Sequence, residues 1–110
     1  MSALPRSAPI GYLLAAASCA LSGCNSSRHG EELFDLHCVD CHEMPNPDLL
    51  KQPPKLEGLF HSKKLPSGAP ATDEQVRKTI IEGLRTMPAF KGRLSESDVE
   101  DLISYLHSLQ

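Results

Sequence analysis

Tryptophan is absent from the chain, and three Phe and two Tyr supply all its large rings in 110 residues. A domain of this size buries a modest share of its surface. It commonly needs a disulfide, a metal or a cofactor to complete its interior. Basic charge is also lacking: 11 Lys and Arg stand against 14 Asp and Glu, a net −3 with neutral histidine. That balance excludes the basic stripe of a nucleic-acid binder. No stretch sustains the two-residue alternation of a half-buried strand, and no internal repeat is present. There is no long apolar run either. The longest, from Ile10 to about Leu21, is too short to span a bilayer comfortably.

What is present begins with a leader. Arg6 is the only charge before an Ala-rich apolar stretch, and that stretch has no polar face to offer a soluble helix. Residues 1–23 therefore read as an export signal, with a segment near 10–20 expected to pack poorly on the rest. Ser18-Cys19-Ala20 could serve as a small-x-Ala cleavage site. Leu21-Ser22-Gly23-Cys24 instead resembles a bacterial lipobox, whose cysteine becomes the lipidated first residue, and this is the favoured reading. Two or three acyl chains, at about 0.8 kcal/mol per buried CH₂, would anchor the chain stably. Asn25 follows, where an Asp would resemble an inner-membrane retention signal, which leans the placement toward the outer membrane. Residues 24–29 then form a lipidated end and short polar linker, reaching about 20 Å if extended. Loss of Arg6 leaves ten cations against fourteen acids, a net −4.

Two of the four cysteines remain for chemistry, Cys38 and Cys41, with His42 directly after. A disulfide is possible in an oxidising compartment. A thioredoxin-like motif would need strand–helix alternation, which is missing. Zinc would need a fourth ligand, and contiguous C-x-x-C-H is an awkward tetrahedral clamp. The fourth option is attachment of a c-type haem, for which C-x-x-C-H is the recognised signature. Its spacing has a physical reason. Residues three apart share a helical face, so both thiols reach the two vinyl groups on one porphyrin edge, with His42 beneath the iron.

The surroundings are helix and loop. "GEELFDLHCVDCH" starts at Gly30 with acids in its first turn and carries Leu33, Phe34, His37, Cys38 and Cys41 on one face. "NPDLLK" suggests a short helical turn capped by Asn46. Residues 52–71 hold most of the prolines and glycines and read as an ordered loop. "TDEQVRKTIIEGL" has Thr72 and Gln75 at capping-box spacing and is expected to bury Val76, Ile80 and Leu84. "SESDVEDLISYLHSL" has Ser95 and Asp98 at cap spacing, then Val99, Leu102, Ile103, Leu106 and Leu109 on one face.

Over residues 30–110 the sequence resembles the class I mono-haem cytochrome c family. Gly30 and Phe34 match its first helix, and "EDLISYL" looks like its last. "PPKLEGLF" resembles the loop lining the proximal side, and "TMPAFKG" the loop carrying the sixth ligand. The resemblance implies an all-α cytochrome c fold, three to four helices and ordered loops around one covalent haem c. The first and last helices would cross near Gly30 and Tyr105. It further implies thioethers at Cys38 and Cys41, His42 as proximal ligand with its other nitrogen bonded to the Pro54 carbonyl, Leu56 in the wall, and Met87 as distal ligand. An apolar cleft should be walled by Cys38, Cys41, His42, Leu56, Met87 and Phe90.

Met87 has the plainer alternative of a core methionine. Ligation is favoured because it precedes Pro88 in an interhelical loop, and Met44 is too near His42 to reach the far side. His61, in the mobile-looking loop, is the rival distal ligand. His29, His37 and His107 read as surface or packing residues, and Lys63 and Lys64 as a solvated face. A His–Met pair leaves no open site, so the expected role is one-electron transfer, not catalysis, between redox proteins. The protein would work on the bacterial periplasmic side, lipid-anchored through Cys24 and without nucleic acid. Other classes are a haem peroxidase or gas binder with an open sixth site, a haem subunit of a dehydrogenase or oxidase complex, or a zinc or copper carrier.

Overall fold

The structure is a computed structural model that describes Ala3 and residues 19–109; most of the leader lies outside the described residues. Among the described residues there are four α-helices, α1 (Cys19–His37), α2 (Val39–His42), α3 (Asp73–Glu82) and α4 (Glu96–Ser108), with a 3₁₀ turn at Leu59–His61. Among the described residues there is no strand, only isolated bridges. None of the described helices is long and apolar enough to cross a membrane.

Helix starts follow the caps written in the sequence. Thr72 accepts the Gln75 amide at 3.3 Å and opens α3. Ser95 and Asp98 form the full reciprocal box at α4: the Asp98 amide bonds Ser95 Oγ at 3.1 Å, and the Ser95 amide bonds Asp98 Oδ2 at 3.0 Å. Those two bonds satisfy donors that every helix N-terminus otherwise leaves orphaned.

The core is built on the crossing of α1 and α4. Leu33 and Phe34 from α1 meet Val99, Leu102, Ile103 and Leu106 from α4, with Val76 and Ile80 of α3 and loop residues Leu59, Leu65 and Phe90 closing round them. The crossing is close because Gly30 has no side chain. A Cβ there would collide with the Asp101 carbonyl and lie 2.8 Å from the Tyr105 Cβ. One turn on, the Phe34 and Tyr105 rings pack tilted at 5.2 Å, a contact worth about 0.5–1.5 kcal/mol beyond its buried area.

Several local expectations differ from the structure. α1 does not start at Gly30 but runs through it from Cys19, so Asn25–His29, expected as a linker, is helical. Tertiary contact supports that extension, because His29 Nδ1 lies 2.7 Å from Asp101 Oδ2 and its Nε2 3.8 Å from Asp98. The expected helical turn at Asn46 is an Asx turn in which the Asn46 side chain accepts the Asp48 amide at 3.0 Å. Leu84, expected in the core on α3, lies beyond its end and is half-buried. Gly83 stops that helix at a φ of 75°.

The His29 clasp titrates. Its hydrogen bond to Asp101, aided by the negative fields of Asp101, Asp98 and Glu32, holds the imidazole above its ordinary pKa of 6.5. A group raised in the folded state stabilises fully below its unfolded pKa and loses that contribution as pH rises through the folded value. His29→Gln should therefore be less stable than wild type below about pH 6.5, and the difference should close at higher pH. Denaturation midpoints measured across pH check this; a difference that grows with pH would refute it.

Candidate functional site

Cys38 sits where α1 gives way to α2. Its amide still bonds the Phe34 carbonyl at 2.8 Å, and its own carbonyl accepts from His42 at 2.9 Å and Cys41 at 3.3 Å. The chain thus bends at Cys38, where the sequence suggested an unbroken helix, yet one turn still presents Cys38, Cys41 and His42 together. Cys38 is half-buried, Cys41 is exposed, and no disulfide joins them. Burial, with Cys41 adding, pushes the Cys38 thiol up to about 11. At neutral pH this half-buried thiol is therefore protonated.

His42 Nδ1 donates to the Pro54 carbonyl at 2.8 Å. A carbonyl only accepts, so the proton belongs on Nδ1 and the lone pair on Nε2. The bond also fixes the ring's orientation, as partners of metal-binding histidines do.

Met87 stands on a tight turn. Leu84 and Met87 exchange backbone bonds of 3.1 and 2.9 Å, with Arg85 between them at a φ of 55°. Beyond it, Phe90 and Lys91 are stitched to the Ile80 and Ile81 carbonyls at 3.0 and 3.2 Å, fastening the segment along the end of α3.

These segments wall a half-open, largely apolar cavity of about 570 Å³, whose lining includes Cys38, Cys41, His42, Leu56, Met87 and Phe90. Pro54 also lines it. His61, Met44, Lys63 and Lys64 do not, and Met44 is 56% exposed. His37 lines the cavity and meets the Phe90 ring edge-on at 5.8 Å. His107 lies at the surface, stacked on Phe60 at 3.7 Å with Nε2 2.6 Å from Asp73. Leu50, Lys51 and Arg85 also line the cavity; they lie in loops, where no periodicity marks them in the sequence. Gly83 went unread too, although a glycine four residues before a candidate ligand was the available signal.

A largely apolar cavity in the ~300–1,000 Å³ range of cofactor sites, which brings two thiols, one imidazole and one thioether to walls that also hold polar residues such as Asn46, Lys51, Gln52 and Arg85, fits a flat iron macrocycle bonded at one edge. Among the described residues, no three His, Cys, Asp or Glu side chains converge to hold a bare metal ion.

The sequence matches the family model described as "Cytochrome C oxidase, cbb3-type, subunit III" over residues 25–106. The chain belongs to the cytochrome c family. Its similarity extends to cytochrome c6 of Bumilleriopsis filiformis, 30% identical over 73% of this chain and 87% of that protein. A cytochrome c6-like protein of Nostoc sp. is 27% identical, over 71% of this chain and 66% of its own length. The cytochrome bc1 complex cytochrome c subunit of Mycobacterium tuberculosis is 31% identical over 74% of this chain, which spans only 27% of that longer subunit. The all-helical fold agrees with this cytochrome c assignment. A covalently bound haem c, and electron transfer as the activity, come with the family.

Proposed function

We propose that this cytochrome c domain is a one-electron carrier with a single haem c. Cys38 and Cys41 would hold the haem as thioethers, His42 and Met87 would take the two axial positions, and Pro54 and Leu56 would support the proximal side. The observation that carries the reading is that His42 and Met87, from separate segments, line one apolar cavity, with the His42 tautomer set by Pro54. When bound, the haem iron supplies a one-electron couple, and a thioether ligand favours its ferrous form and raises the potential. Two protein ligands leave no position for a substrate, so the residues serve to exclude water and hold fixed geometry. Redox partners would meet the domain through small, transient interfaces.

The proposal includes a tether: cleavage after residue 23, a lipid on Cys24, and a bacterial periplasmic location at a membrane. With Asn25–His29 helical, that tether spans roughly 8 Å at 1.5 Å per residue, far less than an extended linker. A second reading, a haem-bearing subunit of a larger oxidoreductase, is favoured by the matching family model, which describes an oxidase subunit, and by the bc1 complex relative.

One experiment tests both parts: a haem stain of denaturing gels run on membrane and soluble fractions of wild type and Cys24→Ser. Both chains should stain, because only thioether-bound haem survives denaturation. Wild type should partition to the membrane and the variant should be released. An unstained wild-type chain overturns the haem reading. A stained, soluble wild type whose unmodified chain starts at Leu21 overturns the anchor alone.

A further inference from the structure

The Met87 turn is held by backbone, and the residue it rests on is Gly83. That glycine caps α3 with φ 75° and ψ 175°, a region essentially restricted to glycine. Its amide still completes the helix, bonding the Thr79 carbonyl at 2.8 Å. A Cβ on Gly83 would lie 2.6 Å from the Met87 carbonyl oxygen, 2.8 Å from the Ala89 nitrogen and 3.0 Å from the Pro88 carbonyl carbon. All three are main-chain atoms of the turn and cannot rotate aside as a side-chain end would. Gly68 and Gly92 also have positive φ, 86° and 79°, yet nothing lies within 4 Å of a Cβ built on either. Positive φ is thus common to these glycines, while contact with the Met87 segment distinguishes Gly83 from those two.

We infer that Gly83 is the positioning residue for Met87: the missing side chain lets residues 87–89 lie against the end of α3, which sets how far the thioether reaches into the cavity. The inference rests on the reading of Met87 as the axial ligand. Leu84, Arg85 and Thr86 complete a turn too short to absorb a displacement, since its two ends are closed by reciprocal backbone bonds. A side chain at position 83 would therefore push the turn as a unit, and Met87 would retreat with it. The stitches from Phe90 and Lys91 to α3 keep the far end fixed, so the movement concentrates on residues 87–89.

The test compares haem-loaded Gly83→Ala, Gly92→Ala and Met87→Ala by absorption spectrum, midpoint potential and carbon monoxide binding. Gly83→Ala should lose most of the weak long-wavelength sulfur-to-iron band, bind carbon monoxide and show a lowered potential, approaching Met87→Ala. Gly92→Ala also places a side chain at a positive φ, but into open space, and should keep the wild-type band and potential. If Met87→Ala removes the band while Gly83→Ala keeps it, the positioning role is wrong and the ligand reading stands. If Met87→Ala itself keeps the wild-type band and potential, the ligand reading fails first, and this inference with it. Should Gly83→Ala not accumulate with haem, amide exchange of the wild type decides instead. Added imidazole should deprotect the Leu84 and Met87 amides together as the band disappears, and unchanged protection of both overturns the inference.

Discussion

Met87→Ala is expected to keep its haem through denaturation, because Cys38, Cys41 and His42 are untouched, while losing the behaviour of an electron carrier. The sulfur-to-iron band should vanish, carbon monoxide should bind readily, and the potential should fall as the thioether's preference for ferrous iron is removed. Some peroxidase activity should appear, because peroxide gains an open position. Stability should drop by about 2 kcal/mol, the low end for Met-to-Ala changes since Met87 is half-buried, with the lost metal bond adding to it. His61→Ala should do none of this, because His61 is exposed and outside the cavity. If Met87→Ala retains wild-type spectrum and potential, the distal ligand is another group and the His–Met assignment is wrong.

Gly30→Ala should show the largest purely structural effect. In an ordinary helix interior the exchange stabilises by roughly 0.5–1 kcal/mol, because glycine is the poorer helix former. At Gly30 the new Cβ would strike the Asp101 carbonyl and the Tyr105 Cβ. Two main chains must then separate, and overpacking of this kind costs about 1–3 kcal/mol, occasionally more. Separation also loosens the Phe34–Tyr105 ring contact, so a net loss of about 3 kcal/mol is expected, or roughly 12–24 °C in melting temperature for a domain of this size. Asn25→Ala, at an exposed position of the same helix, should be neutral or slightly stabilising. A Gly30→Ala melting temperature equal to wild type would show that the helices do not depend on this close approach.

Short-range chemistry is what the sequence made legible. The C-x-x-C-H turn, the caps at Thr72 and Ser95, and the apolar stripe of α4 are each written within a few residues, so spacing alone exposes them. The walls of the cavity were readable only where a motif marked them. Leu50, Lys51 and Arg85 come from irregular turns closed by short-range hydrogen bonds, with no periodicity to announce them. The misread elements fail for other reasons. Gly30 resembled a helix start because glycine is a poor interior residue, and the reason it is tolerated there lies on α4. Asn46 can open a helix or an Asx turn, and the structure takes the turn. Leu84 followed the periodicity of α3, but Gly83 had already turned the chain away.

The pairing of α1 with α4 also fixes an order of events in time. His29 and Asp101, joined across that pairing, are 72 positions apart. Closing a loop of that length costs on the order of 4 kcal/mol in chain entropy before any contact offsets it. Contacts of such long range form late and slow the folding of the whole domain. A chain crossing a membrane amino end first delivers Cys38, Cys41 and His42 well before residues 96–108 arrive to pack on α1. During that interval the turn bearing Cys38 and Cys41 lacks the wall that α4 supplies, and both thiols would be open to the attachment proposed above. Leu102 and Leu106 of α4 line the cavity, so its wall is complete only once the last helix packs on the first, as a latch.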